Sequence, residues 1–150
     1  MRQWPSFFNC LRLLIAIMAG PVCTSANADG NRVIIVAHPT VVIDKISESD
    51  LSSIYLLRQT FWPDGSPIVA LNREANSPTR DLFTMQVLKQ TAVALASHWQ
   101  QMHFKGKIPP LVQESDQAVL VFVQKVPGAI GYVSINTPVG DNVKVLAKLP

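Results

Sequence analysis

Cysteine is almost missing from this 150-residue chain, and its two copies, Cys10 and Cys23, both fall near the start. From Thr24 onward there is no thiol, so a disulfide is excluded there and stability must come from an ordinary core. Histidine is scarce as well. His98 and His103 lie five residues apart and do not share a helix face. His38 stands alone, and no H-E-x-x-H or Cys/His cluster occurs, so no metal site is expected. No run of like charge and no basic stripe with interleaved aromatics is present, which removes the usual footprint of a nucleic-acid binder. There is no G-x-S-x-G, no nucleotide loop and no base placed beside Ser77, so neither an enzyme nor a cofactor is expected. A membrane-spanning helix needs roughly 18 or more apolar residues. The run from Leu11 to Ala19 is far shorter and carries Arg12.

That short run belongs to a different pattern. Arg2 and Arg12 make a basic start, the apolar stretch follows, and Thr24-Ser25-Ala26-Asn27-Ala28 supplies small side chains where a signal peptidase must fit. The order predicts a secretory signal over residues 1–28, cut after Ala28, and a periplasmic domain over 29–150. Cys23 raises a lipoprotein as an alternative, but Gly20-Pro21-Val22 before it lacks the aliphatic and small pattern. The domain left after cleavage has 122 residues, enough for a core of its own. Removing Arg2 and Arg12 from the 13 basic residues leaves eleven against ten acidic ones, so the net charge falls to about +1. The basicity of the whole chain is largely the leader's.

Along the domain, strand-like and helix-like segments alternate. Arg32 to Ala37 and Pro67 to Asn72 read as buried strands. Ser47-Glu48-Ser49-Asp50 is a capping pattern ahead of Leu51, Ile54, Tyr55 and Leu57 at helical spacing. Trp62-Pro63-Asp64-Gly65 reads as a turn. Ser77-Pro78 opens a helix through Leu88, Thr91 opens another through Trp99, and Ser115 caps a third from Asp116 to Lys125. Lys105 to Pro110 reads as a solvated loop. Leu111 to Gln113, Ala129 to Ser134 and Val143 to Ala147 complete the strands. The alternation predicts an α/β domain with a mostly parallel sheet flanked by helices.

One segment carries chemistry, Leu71 to Phe83. A strand ends near Asn72, a short polar loop follows, and Ser77 and Pro78 occupy the N-cap and first position of a helix, where proline's missing N–H costs nothing. The N–H groups of Thr79, Arg80 and Asp81 are expected to point out of the helix start, where the macrodipole favours an anion. The Ser77 and Thr79 hydroxyls add donors, and Arg73 offers a planar fork matched to phosphate or carboxylate. Open α/β sheets bind ligands at the carboxyl ends of their strands. The same residues also fit a helix start with no ligand, with Arg73 paired to Glu74 or Asp81. Glu114-Ser115-Asp116 reads as capping chemistry, and Trp62 and Trp99 as packing residues.

The order S-E-S-D-L-S-S-I-Y-L-L-R-Q-T-F-W-P-D-G, then I-V-A-L-N-R-E-A-N-S-P-T, then F-V-Q-K-V-P-G-A-I-G-Y-V resembles the phosphate-binding proteins of ABC transporters, and more closely the short, stand-alone periplasmic proteins related to them. The resemblance spans about Arg32 to Val145 and implies one lobe, the second, of the type 2 periplasmic binding protein fold. It hands ligand contacts to Arg73, Ser77 and Thr79, with Arg80 beside them at the helix start. The sequence departs from the family at Pro78, where glycine is usual, and at Leu57-Arg58, which stands for leucine-glycine. The other lobe's contacts, a Thr/Ser pair and an aspartate, have no counterpart here.

Magnitudes bound what such a half-site can do. Charge-assisted hydrogen bonds contribute roughly 1.5–3 kcal/mol each and a helix terminus about 0.3–1 kcal/mol. After ordering costs, the dissociation constant is expected near ~0.1–1 mM or weaker. Phosphate or a similar oxyanion is therefore the expected ligand in a role linked to uptake or sensing, with a second copy or an envelope protein completing the site. The alternative is a periplasmic interaction or regulatory module that has lost the ligand.

Overall fold

The computed structural model describes residues 32–150; the leader over residues 1–28 and its cut after Ala28 lie outside the described residues. The elements are β1 (Val33–Ala37), α1 (Glu48–Tyr55), β2 (Val69–Arg73), α2 (Pro78–Phe83), α3 (Ala92–Phe104), β3 (Leu111–Gln113), α4 (Asp116–Lys125), β4 (Ala129–Ser134) and β5 (Lys144–Leu149). A π-helical stretch, Thr84–Leu88, continues α2.

The five strands form one sheet in the order β3-β2-β4-β1-β5. β2 runs parallel to β3 and β4. β1 is antiparallel to both β4 and β5. Four of the five strands therefore point one way, and β1 alone opposes them. The α/β class and the mostly parallel sheet agree with the sequence pattern.

Every residue of β1 is buried, because helices cover both faces. Side chains alternate across a strand, so Val33, Ile35 and Ala37 enter one core with Leu51, Ile54 and Tyr55 of α1 and with Phe83. Ile34 and Val36 enter the opposite core with Val119, Leu120 and Val123 of α4. The first core is centred on aromatics. The Phe83 and Tyr132 rings stack at 4.1 Å, and Tyr55 tilts against Phe83 at 4.6 Å.

The P-G-A-I-G-Y-V segment has a packing explanation. Gly128 takes φ 77, and a Cβ there would run into the Pro67 carbonyl oxygen. A Cβ on Gly131 would lie 2.6 Å from Cγ1 of Val119, so this glycine lets α4 sit close on β4. The Gly128 carbonyl accepts from Val69 N at 3.1 Å and from Trp62 Nε1 at 3.0 Å. Trp62 is thereby a buried packing residue, and its turn closes with Gly65 N donating to the Trp62 carbonyl at 2.9 Å.

Two details depart from the sequence pattern. Leu57, not Arg58, adopts left-handed backbone, with φ 59, so the place of a family glycine falls on Leu57. α3 is longer than expected and contains no buried residue.

Candidate functional site

Arg73 is the last residue of β2, Ser134 the last of β4, and the starts of α2 and α4 face them. Parallel strands β2, β3 and β4 deliver their carboxyl ends to the same edge, and α2 after β2 and α4 after β3 begin there, which makes the crevice that this architecture uses for ligands. The cleft is open, about 460 Å³, and is lined by Arg73, Ser77, Thr79, Asp116, Gln117 and Ser134 among others. Arg73, Ser77 and Thr79, the expected contacts, are all buried residues in its wall.

Ser77 occupies the N-cap position of α2 with Pro78 behind it, but its hydroxyl makes no capping bond. The Ser77 Oγ is buried and has no hydrogen-bond partner among the described residues. Buried hydroxyls are nearly always satisfied, so an unpaired one in a polar cleft is a candidate contact for a ligand oxygen. By contrast, Ser47, Thr91 and Ser115 all cap their helices, accepting from Asp50 N, Ala94 N and Ala118 N. Among the described residues, nothing accepts from the N–H groups of Thr79 or Arg80, while Asp81 N reaches the Ser77 carbonyl at 3.1 Å. The first turn thus presents two donors, not the three expected.

Arg80 belongs to the first turn of α2 but does not line the cleft. Its guanidinium donates to the Arg73 carbonyl at 2.8 Å, and the residue lines a neighbouring cavity with Asn72 and Trp99. As a side-chain contact for the cleft's ligand it is out of position. Lys105 and Lys107 are exposed and do not line the cleft.

The Arg73 fork is occupied from within. Nε and Nη2 donate to Glu74 at 3.0 and 2.8 Å, and Nη1 donates to Asp116 Oδ1. The pairing to Glu74 is the one expected from adjacency; Asp81 takes no part, and Asp116 does instead. Asp116 follows the capping Ser115 as the first residue of α4, and its other oxygen accepts from Ser134 N at 3.0 Å and from the Thr137 hydroxyl. It ties α4, β4 and β2 together at the cleft floor. The Arg73 fork also holds the Glu74 carboxyl below its ordinary range, chiefly through the side-chain hydrogen bond. Among the described residues no group of three or more His, Cys, Asp or Glu side chains is placed to hold a metal ion.

Tyr132 connects this cleft to the aromatic core. Its hydroxyl donates to the Asn72 side chain and accepts from Arg73 N at 3.2 Å. Burial pushes the phenol up to about 12, and burial likewise raises Tyr55. The folded protein holds the Tyr132 proton more tightly than the unfolded chain does. Stability is therefore complete below the ordinary phenol value of 10 and is lost as pH rises through about 12. At about 1.4 kcal/mol per unit the loss is about 3 kcal/mol. Denaturant melts between neutral and alkaline pH are expected to show this fall, and a shallower one in Tyr132→Phe; an equal slope in the variant would assign the fall elsewhere.

Comparison with known proteins supplies context for this geometry. The PBP superfamily domain matches residues 20–149. A protein from Clostridium perfringens, described as a phosphate ABC transporter substrate-binding protein and solved with bound phosphate, is similar at a TM-score of 0.62 and 24% identity, over 76% of this chain and 43% of that one. An ABC-type phosphate transport receptor from Vibrio cholerae is similar at 0.60 and 23%, over 76% and 44%. PstS from Borrelia burgdorferi is similar at 0.60 and 17%, over 77% and 46%. At these identities the likeness is one of fold, and the chain spans less than half the length of each of these structures. No curated protein matches the sequence significantly.

Proposed function

The chain belongs to the PBP superfamily, and on that footing we propose that it is an exported domain that recognises phosphate or a similar oxyanion at Arg73, Ser77, Thr79 and the first turn of α2. The observation that carries this reading is the Ser77 hydroxyl, buried and unpartnered in a polar cleft. Thr79 beside it and the N–H groups of Thr79 and Arg80 add donors of the right sign. The fold neighbour solved with phosphate supports the choice of ligand class. In this reading residues 1–28 direct export, 29–150 form the binding domain, and the role lies in phosphate uptake or sensing.

Affinity is modest because Arg73 already holds two carboxylates and because the cleft is open on one side. A second copy of the chain or an envelope protein closing that side would raise it. Isothermal calorimetry with phosphate and with sulfate tests the proposal. Heat of binding is expected at millimolar ligand, with at least a tenfold loss in Arg73→Ala, about 1.4 kcal/mol. Absence of heat, or equal binding by the variant, contradicts it.

The same two ion pairs favour a second reading. Glu74 and Asp116 neutralise Arg73, so the lobe is also suited to act as a protein-interaction or regulatory module without a ligand. A stoichiometric envelope partner whose capture ignores both phosphate and Arg73→Ala would select this reading over the first.

A further inference from the structure

Away from the cleft, α3 breaks the usual rule for surface helices. A helix on the outside of a soluble domain normally turns charged side chains to water. α3 has 13 residues, none of them buried, and its sequence AVALASHWQQMHF contains no Asp, Glu, Lys or Arg. Leu95, His98, Trp99 and Met102 form its half-buried inner side, where His98 Nε2 bonds the Leu56 carbonyl at 3.2 Å. The outer side holds Val93, 77% exposed, and Phe104, 81% exposed. Eleven residues apart, these two share one helix face. Past the helix end Ile108 is 79% exposed, and in the edge strand β3 Val112 is 57% exposed.

The charge carried by this segment of the sequence has one sign. From Leu82 through Gln113 the sequence has no Asp or Glu. Lys89 lies before the helix and pairs with Glu48. Lys105 and Lys107 lie just after it, exposed, and no ion pair holds either among the described residues.

We propose that α3 and the loop after it form a docking face for an anionic lipid surface, with Phe104 and Ile108 entering the interface and Lys105 and Lys107 meeting the headgroups. Charge complementarity selects this occupant over a second copy. A twofold self-contact brings the same patch together from both copies, so four lysines would share one interface with no carboxylate from the stretch to offset them. The proposal is independent of the oxyanion cleft, which lies at the ends of β2 and β4.

The test is co-sedimentation of the purified protein with vesicles of phosphatidylglycerol and phosphatidylethanolamine, and with pure phosphatidylcholine vesicles. Binding is expected to the anionic vesicles only, falling as salt is raised. Phe104→Ser/Ile108→Ser and Lys105→Glu/Lys107→Glu are each expected to weaken it at least tenfold with the melting temperature unchanged, because all four side chains are exposed. Equal binding to both vesicle types, no binding to either, or full binding by both double variants would overturn the proposal. So would a concentration-dependent dimer, formed without vesicles and abolished by Phe104→Ser/Ile108→Ser, which would assign the face to a second copy.

Discussion

Gly128→Val is expected to destabilise the domain by about 4 kcal/mol. Two costs add at this position. Holding a Cβ-bearing residue at φ 77 costs roughly 1–2 kcal/mol. The new Cβ collides with the Pro67 carbonyl, and forcing atoms into a packed site costs about 1–3 kcal/mol. Pro67 cannot yield freely, because it is bridged to Phe61 and the strand after it bonds to Gly128 itself. Moving Gly128 instead disrupts the hydrogen bonds its carbonyl takes from Val69 N and Trp62 Nε1, each contributing about 1 kcal/mol. Gly65→Val is the control, since Gly65 has φ 83 and open space where a Cβ would go. It is expected to show the backbone cost alone, about 1–2 kcal/mol. Denaturant midpoints for the two variants measure the difference, and equal losses would show that the Pro67 contact contributes nothing.

Asp116→Ala is expected to act in two opposite directions. It removes one carboxylate from a buried arginine and leaves Ser134 N and the Thr137 hydroxyl without their acceptor. Breaking a buried pair from one side costs about 3–5 kcal/mol, and because Glu74 still holds the fork the low end, about 3 kcal/mol, is expected here. The same change frees one edge of the guanidinium toward the cleft. Phosphate should then bind about tenfold more tightly than to the wild type, about 1.4 kcal/mol, and should raise the melting temperature of the variant by more than it raises that of the wild type. A variant that is destabilised but gains nothing from phosphate would show that Asp116 serves only the fold.

These two positions also show what the sequence could reveal and what it could not. Most elements were legible because their signals are local: a β-branched run for β1, and hydroxyl caps at Ser47, Thr91 and Ser115. Arg73, Ser77 and Thr79 were legible as a group because seven consecutive residues place them at one strand end and one helix start. Asp116 was not, because it reaches Arg73 from 43 residues away and its position in the first turn of α4 already had a sufficient local explanation. The reversed direction of β1 left no trace either, since a strand buried on both faces has the same composition whichever way it runs. The displaced Arg80 side chain follows from geometry that spacing does not contain: its backbone is fixed by the helix start, while its long side chain is drawn to the Arg73 carbonyl. The exposure of α3 runs against its uncharged composition, and that mismatch between composition and burial is what the docking face proposed for α3 accounts for.

The central claim is that an oxyanion sits between Ser77, Thr79 and Arg73, and amide-resolved NMR during a phosphate titration tests it most directly. Saturable shifts are expected at the N–H groups of Thr79 and Arg80 and at the Arg73 Nε–H, with Ser77→Ala reducing them and α3 unmoved. No shift at these groups up to tens of millimolar phosphate, or shifts confined to the exposed lysines, would contradict it.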